Sequence, residues 1–342
     1  MKYMQVIDKI FPMCYNLKVI LAERRGYSPL VTYMGLKVSG LTKKYKEKVV
    51  LDNLSFEMEK PGVYALLGTN GAGKTTALRM MLGILAKDGG TVEFNGKPLS
   101  SESCNIGYLA EERGLYPKYS LKDQLVYFAA LKGVDSKTAL ERIKYWSARL
   151  QTDEYIFPPQ TRGMRGKEMK ADQLSKGNQQ KIQLMAALLS DPELIVLDEP
   201  LSGLDPVNTD LFKSIINEEI SKGKYLIMSS HQMATVEEFC TDITILNKSK
   251  TVLQGHLGEI KKQRGRTNLL LKTEQDPSHI IKKHNCIITH SNEFTYEIKV
   301  ENDSRANALL SDLISSGISV VTFDLREPSL HEIFVDIVGS AE

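Results

Sequence analysis

The residues best equipped for chemistry lie in one stretch, Gly68-Thr69-Asn70-Gly71-Ala72-Gly73-Lys74-Thr75-Thr76. Gly68, Gly71 and Gly73 let the backbone curl until successive N–H groups point at one anion. Lys74 is long enough to reach the β- and γ-phosphates of a nucleotide, and the Thr75 hydroxyl can ligate a magnesium ion. A second group follows far downstream. Leu194-Ile195-Val196-Leu197 runs into two carboxylates, Asp198 and Glu199. Asp198 is suited to hold magnesium, directly or through water, and Glu199 to polarise an attacking water. His231 ends the apolar run Tyr225–Ser230, and a histidine at the carboxyl end of a parallel strand faces the ligand crevice. In Leu174-Ser175-Lys176-Gly177-Asn178-Gln179, Ser175 and Gly177 open a helix. They serve either as plain caps or as a second anion site of the same physical kind. Tyr45 is the one aromatic in a polar linker, where it either covers an edge strand or offers a π-face to a base.

These residues need elements to place them. Val63–Leu67, between Pro61-Gly62 and Gly68, reads as a buried strand, and Ala77–Leu82 as a helix of good helix formers opening near Lys74. Strand, glycine loop and helix together are the setting a phosphate-binding loop requires, which disfavours a glycine turn that merely packs. Further strands are expected at Leu36–Leu41, Val49–Phe56, Thr91–Gly96 with its Asn-Gly turn, Ile106–Leu109, Ile243–Leu246 and Thr251–Leu253. Helices are expected at Leu121–Leu131, Ser136–Leu150, Ile182–Leu189 and Val207–Ile220. The segment 157–167 reads as a loop, and Arg162, Arg165, Lys167 and Lys170 as a solvated face.

From about Arg266 the order becomes strand, helix, strand, strand, helix, strand and a last helix over Ser329–Val338. That order predicts a ferredoxin-like α+β sandwich with a hairpin at Ser291-Asn292-Glu293. It holds no catalytic constellation, so regulation, dimerisation or partner docking is its expected role. The chain therefore reads as an α/β nucleotide-binding domain over residues 35–260, with a helical part at about 115–190, plus an accessory domain over 266–342. Residues 1–34 match neither. Met34 immediately before the first strand points to a start-site artefact, and a short amphipathic appendage that docks on a partner is the competing reading.

Composition sets outer bounds. The 342 residues are 42% apolar and 25% charged, ordinary for a globular protein of more than one domain. A net charge of +2 marks no strongly basic nucleic-acid binder. Cys14, Cys104, Cys240 and Cys286 form no C-x-x-C pair, which favours reduced thiols. No apolar run approaches the ~18–20 residues of a membrane-spanning helix, so a role at a membrane is expected to run through a partner.

With these pieces in order, the chain resembles the ATP-binding subunit of an ABC transporter over about Leu36 to Gly258. Gly68–Thr75 is similar to Walker A, Leu174–Gln179 to the ABC signature, and Leu194–Glu199 to Walker B. Ser202–Asp205 is similar to the D-loop and His231 to the switch histidine. The resemblance implies that Tyr45 stacks on adenine, that ATP and Mg2+ are the cofactors, and that Glu111 takes the Q-loop position beside the metal. It also implies that Ser175, Lys176, Gly177, Asn178 and Asp205 meet nucleotide across a head-to-tail pair of such subunits. The pair would sit at the cytoplasmic face of the membrane, where its closure pushes on separate permease subunits. Two motifs depart from the common pattern: Lys176 and Asn178 replace Gly and Gln in the signature, and Glu111 replaces a glutamine at the Q-loop position. The segment Glu327–Phe334 resembles the tail of sodium-extrusion and drug-export ATPases. A soluble ABC ATPase of translation or DNA repair is the alternative, but it would carry two cassettes or a long coiled coil, and neither is found.

Overall fold

The computed structural model describes residues 35–112, 114–159 and 169–339. The leader and the basic positions Arg162, Arg165 and Lys167 lie outside the described residues, while Lys170 is exposed. The described chain opens with an antiparallel hairpin, β1 (Leu36–Tyr45) and β2 (Lys48–Met58). The polar stretch after Leu41 is thus strand, not linker. Lys44, Lys46 and Lys48 are exposed while Lys43 is buried, its Nζ donating to Ala86 O and Asp88, and Lys46 makes the tight turn at a left-handed φ of 55°. After β3 (Gly62–Gly68) and α1 (Lys74–Met81), β4 (Gly89–Phe94) joins the hairpin. The Asn95-Gly96 turn, at φ 52° and 73°, leads to the short β5 (Lys97–Pro98).

Then follow β6 (Ile106–Leu109), α2 (Leu121–Leu131), α3 (Ser136–Leu150), α4 (Asp153–Ile156) and α5 (Lys176–Leu188). Helix α5 starts six residues earlier than the apolar periodicity implies. Ser175 caps it, its hydroxyl accepting from the Asn178 amide, and the cap outweighs the poor helix formers Gly177 and Asn178. Next come β7 (Leu194–Asp198), α6 (Pro206–Ser221), β8 (Tyr225–Ser230), α7 (Met233–Glu237), β9 (Asp242–Asn247), β10 (Lys250–His256) and α8 (Leu257–Arg264).

The central sheet runs β10-β9-β3-β8-β7-β6, parallel except for the edge strand β10. Strands β3 and β7 are buried at every residue, which is why they read as continuous apolar runs rather than alternating ones. The alternation is nevertheless present in the packing. Val63, Ala65, Leu67, Ile195 and Leu197 enter one core with α2, α3, α5 and α6. Tyr64, Leu66, Leu194 and Val196 enter the other, beneath α1 and the antiparallel sheet β2-β1-β4-β5. Each fully buried leucine here stabilises the fold by about 1.5–3 kcal/mol. That burial holds the carboxyl ends of β3, β7 and β8 side by side.

The C-terminal part contains β11 (Asn268–Thr273), α9 (Ser278–Lys283), β12 (Ile287–Asn292), β13 (Thr295–Lys299), α10 (Asp303–Ser315), β14 (Val320–Arg326) and α11 (Leu330–Gly339). The sheet order β12-β13-β11-β14, antiparallel throughout, is that of a ferredoxin-like fold. The hairpin turns at Glu293-Phe294, one residue later than expected, with Glu293 at φ 50°.

Candidate functional site

The glycine loop leaves β3 and enters α1 with three left-handed glycines, Gly68 at φ 149°, Gly71 at 80° and Gly73 at 107°. A Cβ at Gly68 would lie 2.3 Å from the Leu246 carbonyl oxygen, and one at Gly73 would lie 2.6 Å from that of Val50. Close backbone approach and conformation thus both require glycine at these two positions. The Val50 contact also brings the β1–β2 hairpin beside the loop. Tyr45 sits at its tip, half exposed, with the Lys43 ammonium 5.1 Å from its ring centroid. Lys74 is buried, its Nζ donating to the carbonyls of Gly68 at 3.0 Å and Thr69 at 3.3 Å. The same nitrogen lies 3.2 Å from Glu199 Oε1.

Strand pairing brings the acids to this loop. Asp198 is opposite Ser229 in the parallel β7–β8 ladder. The Ser229 hydroxyl donates to Asp198 Oδ1 at 2.6 Å and accepts from the Glu199 amide at 2.9 Å. The Thr75 hydroxyl lies 3.0 Å from the same Asp198 oxygen and 3.5 Å from Glu111 Oε2. Asp198 is wholly buried, yet its Oδ2 has no hydrogen-bond partner. Burial pushes its carboxyl above the ordinary range against the Ser229 and Thr75 hydrogen bonds, with the Glu199 charge adding to the rise. A buried anionic oxygen without a donor, beside a hydroxyl and a second carboxylate, fits the oxygen donor set of a hard divalent cation.

Glu199 is 5% exposed and stands at φ 49°, a left-handed conformation that a non-glycine residue adopts at some cost. That bend turns its carboxylate back over the loop. Oε1 faces Lys74, and Oε2 lies 2.9 Å from His231 Nδ1 and accepts from the His231 amide at 3.4 Å. The Glu199 carbonyl accepts from Gln180 Nε2 at 3.2 Å, and Pro200 O from the same nitrogen at 2.6 Å. Ser229 and Gln180 were not singled out from sequence. Both act through register and backbone shape, which no local motif signals.

The helix-start residues behave differently. Ser175 Oγ caps α5, and Asn178 Nδ2 donates to Tyr155 OH at 3.1 Å, so both bonds stay within the helical part. Asp205 caps α6 and holds Asn208 through its amide at 2.9 Å and its side chain at 2.6 Å. Gly177 packs beside Leu204 of the same segment. Lys176 lines a cleft of ≈ 1150 Å³ whose other walls include Glu111, Gln180, Glu199 and Ser202. Lys74, Thr75, Glu111, Asp198, Glu199 and His231 form one cluster, and Ser175, Gly177, Asn178 and Asp205 a second.

Comparison with known proteins gives this arrangement a family. The family described as ABC transporter matches residues 51–202, and that described as ATP-binding protein DrrA1-3-like, C-terminal domain, matches residues 255–338. YhaQ of Bacillus subtilis, an uncharacterized ABC transporter ATP-binding protein, is 38% identical over 306 residues, 89% of this chain and 99% of that protein. The linearmycin resistance ATP-binding protein LnrL of the same organism is 25% identical over 316 residues, 89% of this chain and 98% of the relative. A solved ATP-binding subunit of an ABC transporter shares 26% identity at a TM-score of 0.59, over 67% of this chain and 93% of that one. The chain belongs to the ATP-binding subunits of ABC transporters, a family of ATPases.

Proposed function

We propose that this chain hydrolyses ATP within a head-to-tail pair of such subunits, and that closure of the pair drives export through separate membrane permease subunits. The observation that carries the reading is the Glu199 carboxylate, buried at a strand end and held between Lys74 and His231. The glycine loop, from Thr69 through Asn70 and Ala72 to Thr76, cradles the phosphates, and Lys74 leaves its loop carbonyls to pair with the β- and γ-oxygens. Tyr45 stacks on the adenine. Thr75, Asp198 and Glu111 hold Mg2+, which when bound neutralises charge on the phosphates. Glu199 takes the proton of the attacking water as general base. His231 orients that carboxylate and contacts the γ-phosphate. Ser175, Lys176, Gly177, Asn178 and Asp205 serve the nucleotide of the opposing subunit; in support, the hydrogen bonds of Ser175, Asn178 and Asp205 stay among the helix starts and do not reach their own glycine loop.

Export is supported by what relatives are named for. LnrL is a linearmycin resistance protein, and a Nod factor export ATP-binding protein I of Ralstonia nicotianae is 30% identical over 235 residues, 66% of this chain and 68% of that protein. Among the described residues no helix is long and apolar enough to cross a membrane. The reading accordingly gives the membrane path to the permease and places this subunit at its cytoplasmic face. Glu199→Gln keeps the shape of the site and removes one negative charge facing the γ-phosphate, so ATP should trap the closed pair. Sizing with and without ATP should show a dimer only with ATP. A variant that stays monomeric with saturating ATP, alone and with its permease, would overturn the paired mechanism.

A further inference from the structure

His231 is followed almost at once by α7, which is five residues long. A helix of that length has little stability of its own, so its position is set by what packs on it. Met233 and Val236 are buried in the same apolar cluster as Leu330 and Ile333 of α11. At the end of α7, Glu237 Oε2 accepts from the Leu330 amide at 2.8 Å, and Oε1 accepts from Lys261 Nζ at 2.6 Å. The first amide of α11, which has no acceptor in its own helix, takes one from α7 instead.

Helix α11 is itself fastened elsewhere. Ser329 and Glu332 close a capping box, the Ser329 amide donating to Glu332 Oε2 at 2.8 Å and the Glu332 amide to Ser329 Oγ at 3.2 Å. The Glu332 carboxylate also accepts from Asn268 Nδ2 at 2.7 and 2.9 Å and pairs with Lys299 Nζ at 3.1 Å. Asn268 and Lys299 are paired residues of β11 and β13. The apolar cluster of that sheet contains Leu269, Leu271 and Ile298 but neither Leu330 nor Ile333. The apolar side of α11 therefore belongs to the ATPase core, and its acid belongs to the C-terminal sheet.

We propose that Glu237 is a positioning residue for His231: through α11 and Glu237 the C-terminal sheet fixes α7, and with it the imidazole against Glu199. The inference rests on the hydrolytic reading above. A displaced sheet lets α7 shift, and the 2.9 Å contact between His231 and Glu199 is the first to loosen. The accessory domain thereby sets the turnover rate without touching nucleotide.

The test is ATPase kinetics on the full-length chain with Glu237→Ala, Glu237→Gln, Glu332→Gln and His231→Ala. Glu237→Ala should lower kcat by about 10–100-fold, the scale of a small misplacement at a reacting centre, with KM little changed. Glu237→Gln keeps an acceptor for the Leu330 amide and should restore most of the rate. Glu332→Gln, remote from the loop, should lower kcat in the same sense. In a His231→Ala background, single-turnover rates should no longer respond to Glu237→Ala, because the residue through which it acts is gone. An equal loss with and without His231, or an unchanged kcat in folded Glu237→Ala and Glu332→Gln, would overturn the proposal. Failure of Glu199→Gln to slow turnover would instead overturn the hydrolytic reading beneath it.

Discussion

Asp198 at the glycine loop and Glu332 at the C-terminal junction are both carboxylates drawn into the fold, and they are treated in opposite ways. Asp198 has one oxygen shared by two hydroxyls and the other without a partner, and burial pushes its carboxyl up. Glu332 accepts from Ser329, Asn268 and Lys299 together. Burial alone would raise it too, but the Ser329 amide and hydroxyl and the Lys299 ammonium outweigh that and hold it at about 2. The first environment is deficient in positive charge, and the second is saturated with donors. A region prepared for a ligand leaves a buried carboxylate oxygen wanting, whereas the junction satisfies its carboxylate and leaves unpartnered a neutral amide oxygen, Asn268 Oδ1.

Substitutions in the two regions should act separately. The largest expected effect is on folding. Leu271→Ala in the C-terminal sheet, where the side chain is fully buried, should cost about 2–5 kcal/mol of stability. ATP affinity measured on the folded fraction should not change, and a matching loss of affinity would show that the two regions are not separable. Next come the acids themselves. Asp198→Asn should leave the nucleotide-free chain as stable or more stable at neutral pH, while abolishing the Mg2+ dependence of nucleotide binding. Glu332→Gln should destabilise it by about 1 kcal/mol, the usual scale of a charge-assisted hydrogen bond in a partly exposed setting.

The pH dependence of Glu332 follows from its sign. Its folded value lies below the ordinary 4.5, so the unfolded chain binds the proton first. Its stabilisation is complete above about 4.5 and is lost as pH falls towards about 2. An acid-unfolding profile that Glu332→Gln leaves unchanged would contradict the saturated environment. The smallest effect is expected at Tyr45, where Tyr45→Ala should weaken ATP binding by ~0.5–1.5 kcal/mol, the worth of one aromatic contact. Isothermal titration reads this directly, and equal affinity would remove Tyr45 from the nucleotide site.

Much of the contrast is legible in the residues alone, for reasons that differ by region. The glycine loop announces itself because Gly68 and Gly73 are required by backbone contacts that are local in their consequences. The run Leu194–Leu197 reads as a buried strand because both faces of β7 are covered, and Asp198 and Glu199 follow it directly. The ferredoxin-like order is legible because the central strands β11 and β13 bury alternate residues and a helix stands on either side of the β12–β13 hairpin along the chain. Other features depend on distant pairing. Ser229 becomes part of the acid site only through its register opposite Asp198, and the left-handed bend at Glu199 leaves no compositional trace. Ser329-Leu330-His331-Glu332 has the spacing of a helix cap, yet nothing in it foretells that Glu237 takes its free amide. At α5 the two local signals differ: the apolar periodicity begins only at Ile182, whereas the Ser175 cap marks the start of the helix at Lys176.

Glu199 as general base is open to one direct measurement, ATP binding and turnover on the same preparation of Glu199→Gln, assembled with its partners. The glutamine preserves shape and hydrogen-bonding reach but cannot take a proton. ATP affinity should remain within a few-fold of the parent chain, while kcat falls by ~100-fold or more, the usual contribution of a general base. Near-normal turnover in that variant, with affinity intact, would contradict the account.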